Sequence, residues 1–177
     1  MDQGMGQGAG KFKRKTEKFS PKEGGIEQSL LEIRRVARVV AGGKRFRFRA
    51  TVVVGDRKGR VGVGSAKGAD VSGAVDKATE KAKKKLTFVK IIKGTIPHEV
   101  RMKYGSANIL LKPAVSGKGI IAGGAVRVVC SLAGIADVIG KILGSSNKLN
   151  NARATIRALE SFKFLKNNNA DSSNKAN

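Results

Sequence analysis

Arg45, Arg47 and Arg49 recur at alternate positions, and the chemistry they offer is binding. In a strand, successive side chains leave on opposite faces, so the three share one face at roughly 6–7 Å spacing. Each guanidinium is a fork of donors that meets a phosphate in bidentate fashion, as the point charge of a lysine does not. Phe46, Phe48, Ala50, Val52 and Val54 fall on the other face and are expected to pack. Arg35, Arg38, Gly42, Gly43, Lys44, Arg57, Lys58 and Arg60 complete the set around them, on elements expected to be adjacent. From Arg34 to Arg60 there are ten basic residues and one acid, Asp56. A solubilising surface mixes both signs. A one-sided surplus instead points to a polyanion, because each phosphate neutralised by Lys or Arg releases condensed counterions.

The whole chain supports that direction. It holds 36 Lys and Arg against 13 Asp and Glu, a formal net charge of +23 on 177 residues. With seven Phe, one Tyr and no Trp, stacking of bases on an aromatic platform is not expected to dominate recognition. Phosphates and helical shape, the features by which double-stranded RNA is read, suit these residues better. Cys130 stands alone, which excludes an internal disulfide and a Cys-rich zinc site. No apolar run approaches the ~18 residues of a membrane span, and the opening MDQGMGQGAG lacks the apolar core of a signal peptide. A cytoplasmic protein without membrane contact is expected.

The second cluster of interest is glycine. The run Gly117-Lys118-Gly119-Ile120-Ile121-Ala122-Gly123-Gly124-Ala125 satisfies neither the Walker spacing nor GxGxxG, and neither does Gly62-Val63-Gly64-Ser65-Ala66-Lys67-Gly68. Glycines ahead of a helix allow close approach to its first amides, by a phosphate or by a neighbouring chain. His98 and Cys130 fall in different elements with no third ligand spaced to join them, so each is read as structural and no metal or cofactor is implied. The carboxylates are few and dispersed, and no residue pattern proposes catalysis.

The elements that must position these groups read as α+β. Residues 1–25 form a basic Gly-, Gln- and Lys-rich arm expected to be disordered, as is the near-neutral tail 167–177. In between, residues 26–94 and 95–166 are expected to form two domains parted near Lys93-Gly94-Thr95-Ile96-Pro97. The first holds strands over Leu31–Ala41 and Arg45–Gly55 joined by a tight Gly-Gly turn, then a turn at Asp56–Gly59 and a third strand over Arg60–Ser65. A helix runs from an Asp70 cap to Leu86, its last turn rich in lysines that include Lys84 and Lys85. A strand over Thr87–Ile92 closes the domain. In the second, strands over His98–Tyr104 and Ala107–Lys112 precede a helix over Ala122–Ala133, a strand over Asp137–Leu143 and a helix over Leu149–Phe162.

In this order and spacing the residues resemble a known family. Arg34-Arg35-Val36-Ala37-Arg38-Val39-Val40-Ala41-Gly42-Gly43-Lys44-Arg45-Phe46, Val53-Val54-Gly55-Asp56 through Gly59-Arg60-Val61-Gly62-Val63-Gly64, and the helix segment Ala74 to Lys83 are similar to the first half of the small-ribosomal-subunit protein five family. Pro113-Ala114, Gly117 through Gly124, Gly144-Ser145-Ser146-Asn147 and Arg153-Ala154-Thr155 resemble its second half. The likeness extends over about Leu31 to Phe162. It implies a double-stranded-RNA-binding-like domain followed by an α/β sandwich of the protein-five domain-2 type, a type shared with some kinases. It also implies binding of small-subunit rRNA, contacts with ribosomal proteins four and eight, a place where mRNA threads into the subunit, and an influence on decoding accuracy. By position, Val40 to Arg45 would approach rRNA at the neck beside the spectinomycin pocket. Gly117, Gly119, Ile120, Gly123, Gly124 and Arg127 would form a protein interface, with Gly119 and Arg127 at or near protein four. The pattern departs at Ala41, where many members carry Lys.

Three functions are therefore in view. One is a structural, rRNA-binding ribosomal protein; the second is a free RNA chaperone or duplex-binding regulator; the third, an enzyme on the kinase-like fold, lacks a phosphate loop and a base.

Overall fold

The computed structural model describes residues 25–162. The basic arm and the tail read from the sequence lie outside them, Gly25 excepted. A first sheet has the order β1-β2-β3-β4, built from β1 (Glu27–Val40), β2 (Gly43–Gly55), β3 (Arg60–Gly68) and the short β4 (Thr87–Phe88), with α1 (Val71–Lys83) before β4. A second sheet, β5-β6-β8-β7, takes β5 (Val100–Tyr104), β6 (Ala107–Pro113), β7 (Ile120–Ile121) and β8 (Val138–Ile142) and carries α2 (Gly124–Ala133) and α3 (Lys148–Ser161). The chain is α+β.

Antiparallel pairing of β1 with β2 runs without a break from Glu32↔Thr51 to Val40↔Gly43, leaving only Ala41 and Gly42 as the loop. The left-handed backbone this turn needs falls on Gly43, at φ +139°. A register shift between Leu30 and Glu32 lets β1 begin at Glu27, ahead of the strand expected from Leu31. At its other end the sheet is shorter than expected. Only Thr87 and Phe88 pair with β3, because the Val89 amide turns to the Gly59 carbonyl (2.7 Å).

Helix α1 starts where Asp70 accepts the Gly73 amide (3.2 Å), satisfying one of the free donors of the first turn. It buries Ala74, Ala78 and Ala82 against β3, where Gly62, Gly64 and Gly68 face it. A Cβ at Gly64 would overlap the Ala78 carbonyl oxygen, so helix and strand touch backbone to backbone. Ala50, Val52 and Val54 of β2 complete this small core with Ala66.

The other face of the same sheet is also covered. Val53, Val61, Val63 and Val89 join Ile96, Ile109, Leu111, Val129, Leu159 and Phe162 in a larger core continuous between the two halves. Thr51 and Val53 share the arginine face by alternation, yet both are buried, because α2 lies over them. Lys93–Pro97 is packed as well: Ile96 is buried, and the Gly94 carbonyl accepts the Ala136 (2.8 Å) and Asp137 (3.1 Å) amides.

A seam of main-chain contacts joins the halves. The Arg57 amide donates to the Leu132 carbonyl (3.0 Å) and the Gly59 amide to the Ala133 carbonyl (2.9 Å), so the β2–β3 turn caps the end of α2. Gly55 and Gly134 make this approach possible; a Cβ on either would overlap a backbone carbonyl of the other side. Asp56 shapes the turn by accepting the Lys58 (2.8 Å) and Arg60 (2.9 Å) amides and pairing with the Arg60 guanidinium (2.6 Å). Burial by itself would raise the Asp56 carboxyl, but these hydrogen bonds and the Arg60 charge hold it below the ordinary carboxylate value.

Two stability experiments follow from this packing. Gly64→Ala should cost about 2–3 kcal/mol, the upper part of the overpacking range, whereas Gly42→Ala, with open space around its Cβ, should stay within about 0.5 kcal/mol of the parent. Equal urea midpoints for the two would mean that α1 is not seated on β3 in this way. Asp56 has a lowered folded value, so its contribution is present above the unfolded value and disappears as pH falls through the folded one. Asp56→Asn should therefore lower the midpoint at neutral pH, and the gap to wild type should close in acid. A gap that does not change with pH would show that the charge of Asp56 is irrelevant.

Candidate nucleic-acid interface

The last pair between β2 and β3 is Phe48↔Gly68, while β1 and β2 continue together to Val40↔Gly43. The tip of the β1–β2 hairpin therefore projects past the rest of the sheet as a two-stranded ribbon. Directly opposed residues in an antiparallel pair share a face. The register sets Arg34 against Arg49, Val36 against Arg47 and Arg38 against Arg45, so five arginines occupy one face. Lys67, opposite Arg49, adds a sixth cation. Like charges directly across a ladder are destabilising. The only ion pair that relieves this face among the described residues is Arg34 with Glu32 (2.8 Å).

Arg35 is not part of that row. It lies opposite Phe48, on the reverse face, with its guanidinium 4.5 Å from the centroid of the Phe46 ring. Lys44, opposite Val39, is on the reverse face too. Phe46 was expected to pack and is instead 49% exposed, because β3 has ended at Gly68 and no longer flanks the strand there. Gly42 and Gly43 form the exposed tip.

The elements carrying Arg57, Lys58 and Arg60 adjoin β2 as expected, but these three residues are not beside the ribbon. They lie at the other end of β2, about 30 Å from Arg47 at ~3.3 Å per residue. Arg57 is bound by Glu27 (2.7 Å) and Arg60 by Asp56 (2.6 Å), with Arg60 also 5.9 Å from the Phe88 ring centroid. Lys84 and Lys85 join this second group, since α1 runs antiparallel to β3 and a Cβ at Gly62 would meet the Lys85 carbonyl. The basic residues thus divide into a free ribbon and a partly neutralised patch at the far end.

The glycine run lies elsewhere, at the start of α2. Gly117 and Gly119 have φ of +85° and +73°, and among the described residues nothing lies within 4 Å of a Cβ built on either. Within the run, Ile120 and Ile121 form β7, parallel to β8, where a loop was expected. Gly123 caps α2 with no side-chain bond and is backed by Ile142. Gly117, Gly124 and Arg127 are exposed and Gly119, Ile120 and Gly123 half-buried. Val115, 79% exposed, and Ile121, 47% exposed, add apolar surface beside them.

Asp137 holds this loop and was not singled out from the sequence. Its side chain accepts the Gly119 amide at 2.6 Å although the residue is 6% exposed. A lone acid just before a strand in a basic half is the only hint the sequence contains. His98 sits edge-on to Phe162, ring centroids 4.9 Å apart. Cys130 is buried, and burial pushes its thiol up to about 12, so it is no thiolate nucleophile. Among the described residues no three His, Cys, Asp or Glu side chains cluster to hold a metal, and no helix is long and apolar enough to cross a membrane.

Comparison with family models gives two matches. The model described as ribosomal protein S5, N-terminal domain, matches residues 26–90, the sheet that carries the arginine ribbon and α1. The model described as ribosomal protein S5, C-terminal domain, matches residues 102–172, which contain the glycine loop, α2 and α3. With both halves matched in order across most of its length, the chain belongs to the ribosomal protein S5 family, a family of structural, non-enzymatic proteins, and is a small-subunit ribosomal protein that binds rRNA.

Proposed function

We propose that the arginine face of the β1–β2 ribbon is the principal rRNA-binding surface, and that residues 26–94 act as the RNA-facing unit and 95–166 as the protein-facing unit. The observation that carries this reading is the register. Arg38, Arg45, Arg47 and Arg49 project from one face of a hairpin whose other end is buried in the sheet, with no acid paired to them among the described residues. Held on a packed sheet, these forks lose little freedom on meeting successive phosphates. The patch of Arg57, Lys58, Arg60, Lys84 and Lys85 is a second, weaker contact at the far end of the same sheet. Two separated phosphate contacts on one rigid body suit recognition of RNA by shape.

The glycine loop supports a different partner. It presents Gly117, Gly124, Val115 and Ile121 with two cations, Lys118 and Arg127, and the exposed apolar side chains suit a protein neighbour. Ribosomal protein four at this loop, protein eight elsewhere on the second half, and mRNA threading past the hairpin complete the reading. A fixed neighbour there would bias closure of the subunit during decoding and so affect accuracy. The chain would act on the cytoplasmic ribosome.

Two measurements test these assignments. Replacing Arg38, Arg45 and Arg47 together with Ala should reduce the slope of log affinity against log salt by about 2–3 for an rRNA fragment, while Arg57→Ala should leave it nearly unchanged. An unchanged slope in the triple variant would refute the ribbon as the RNA surface. At Gly119 any side chain bears the left-handed backbone cost of about 1–2 kcal/mol, but its Cβ meets nothing within 4 Å among the described residues. Gly119→Ala should therefore assemble and decode almost normally, and Gly119→Arg should assemble but change readthrough of a stop codon. Identical readthrough in the two variants would argue against a protein partner at the loop.

A further inference from the structure

Where β3 ends, the projecting hairpin leaves a notch that the ribbon reading does not use. It is a cavity of about 240 Å³ lined by Arg45, Phe46, Arg47, Lys67, Gly68, Ala69 and Lys77. Four of these carry positive charge and none is acidic. Two acids adjoin the lining in sequence: Asp70 is turned to the Ser72 hydroxyl and the Gly73 amide, and Asp76, next to Lys77 on α1, is exposed and not part of the lining. Beyond Phe48 the backbone of β2 pairs with β1 alone, so one edge of it is left with open donors and acceptors. The aromatic member is unusual as well: Phe46 is 49% exposed and is steadied by Arg35, 4.5 Å from its ring centroid.

These features call for three things in one ligand: negative charge for Lys67 and Lys77, a flat apolar face for Phe46, and hydroxyl or amide groups for the open strand edge. A smooth duplex backbone supplies the first and lacks the second, since its bases are stacked away. A free small molecule fits less well, because the notch is smaller than the ~300–1,000 Å³ typical of such sites and opens directly onto the ribbon. The geometry points to a seat for a single unpaired nucleotide of an RNA strand that is otherwise bound along the arginine face. Its phosphate lies toward Lys67 and Lys77, its base against Phe46, and its ribose hydroxyl within reach of the β2 edge. This rests on the ribbon as the RNA surface and adds a sequence-tolerant preference for RNA that extrudes one residue.

The test compares two RNAs on the full chain: a perfect duplex of about 16 base pairs, the span of a duplex-binding domain, and the same duplex with one unpaired adenosine. The bulged RNA should bind about tenfold more tightly, the scale of one base stacked on one ring. Phe46→Leu, which keeps an apolar side chain, and Lys67→Ala with Lys77→Ala should each bring the ratio of the two affinities close to one. Equal binding of the two RNAs by the parent chain would overturn the notch and leave the ribbon intact. A preference that survives both sets of substitutions would place the extruded nucleotide elsewhere and overturn it equally. Failure to bind either RNA would remove the ribbon reading, and the notch with it.

Discussion

The arrangement depends on how closely backbone meets backbone around the first sheet. On one face Gly62, Gly64 and Gly68 bring α1 against β3; beside the other, Gly55 and Gly134 bring the β2–β3 turn against the end of α2. Side chains are absent at these points because any Cβ would overlap a neighbouring carbonyl or amide. The sheet is thereby fixed between two layers, with Ala50, Val52 and Val54 toward α1 and Val53, Val61 and Val63 toward the second half. A slip of one residue would exchange those sets, and neither side could accept the other. Register inside the body is thus what sets register outside it, where the same strands carry the arginines.

That rigidity makes a cationic face tolerable. Arg38 against Arg45 and Arg34 against Arg49 put like charges at cross-strand distance, each pair unfavourable by a few tenths of a kcal/mol to about 1. An isolated two-stranded ribbon is marginal in water, and this one also repels itself. It is stable because β2 continues into a buried strand and β1 runs alongside it. A polyanion removes the repulsion that the free protein retains. The glycine loop is held on the same frame by α2, whose end is bonded to the β2–β3 turn. The surface read as facing RNA and the surface read as facing protein are thus two ends of one bonded path through β2, the turn and α2.

Much of the frame could be read directly from residue types. Alternation in β2, the Gly-Gly turn, the Asp70 cap and the apolar spacing of α2 and α3 are local signals, and local physics decides them. The failures needed distant partners. Arg35 and Arg38 look equivalent in a basic run, but the register with β2 turns one toward Phe46 and the other toward the row. Phe46 looks like a core residue because nothing near it in sequence says that β3 stops at Gly68. Arg57 looks free until Glu27, thirty residues away, meets it (2.9 Å). The two-residue β7 lies hidden in a glycine run, since pairing with β8 and not propensity makes it a strand. Asp137 has no motif, only a buried carboxylate bonded to a loop amide.

The same distinction corrects how charge is converted into affinity. If all ten basic residues from Arg34 to Arg60 met phosphate, the segment would contribute a salt slope of roughly −9 at 0.9 per contact. The fold commits Arg34, Arg57 and Arg60 to carboxylates and Arg35 to an aromatic ring. Six remain, of which Lys58 is at the far end and Lys44 on the reverse face. On the proposed reading, what would meet RNA along the ribbon is Arg38, Arg45, Arg47 and Arg49, fewer than half of the segment's cations. Arg34, Arg35, Arg57 and Arg60 secure the turn, the sheet edge and the ring that keep those four in line, so four of the ten cations act on the protein itself before they act on a partner.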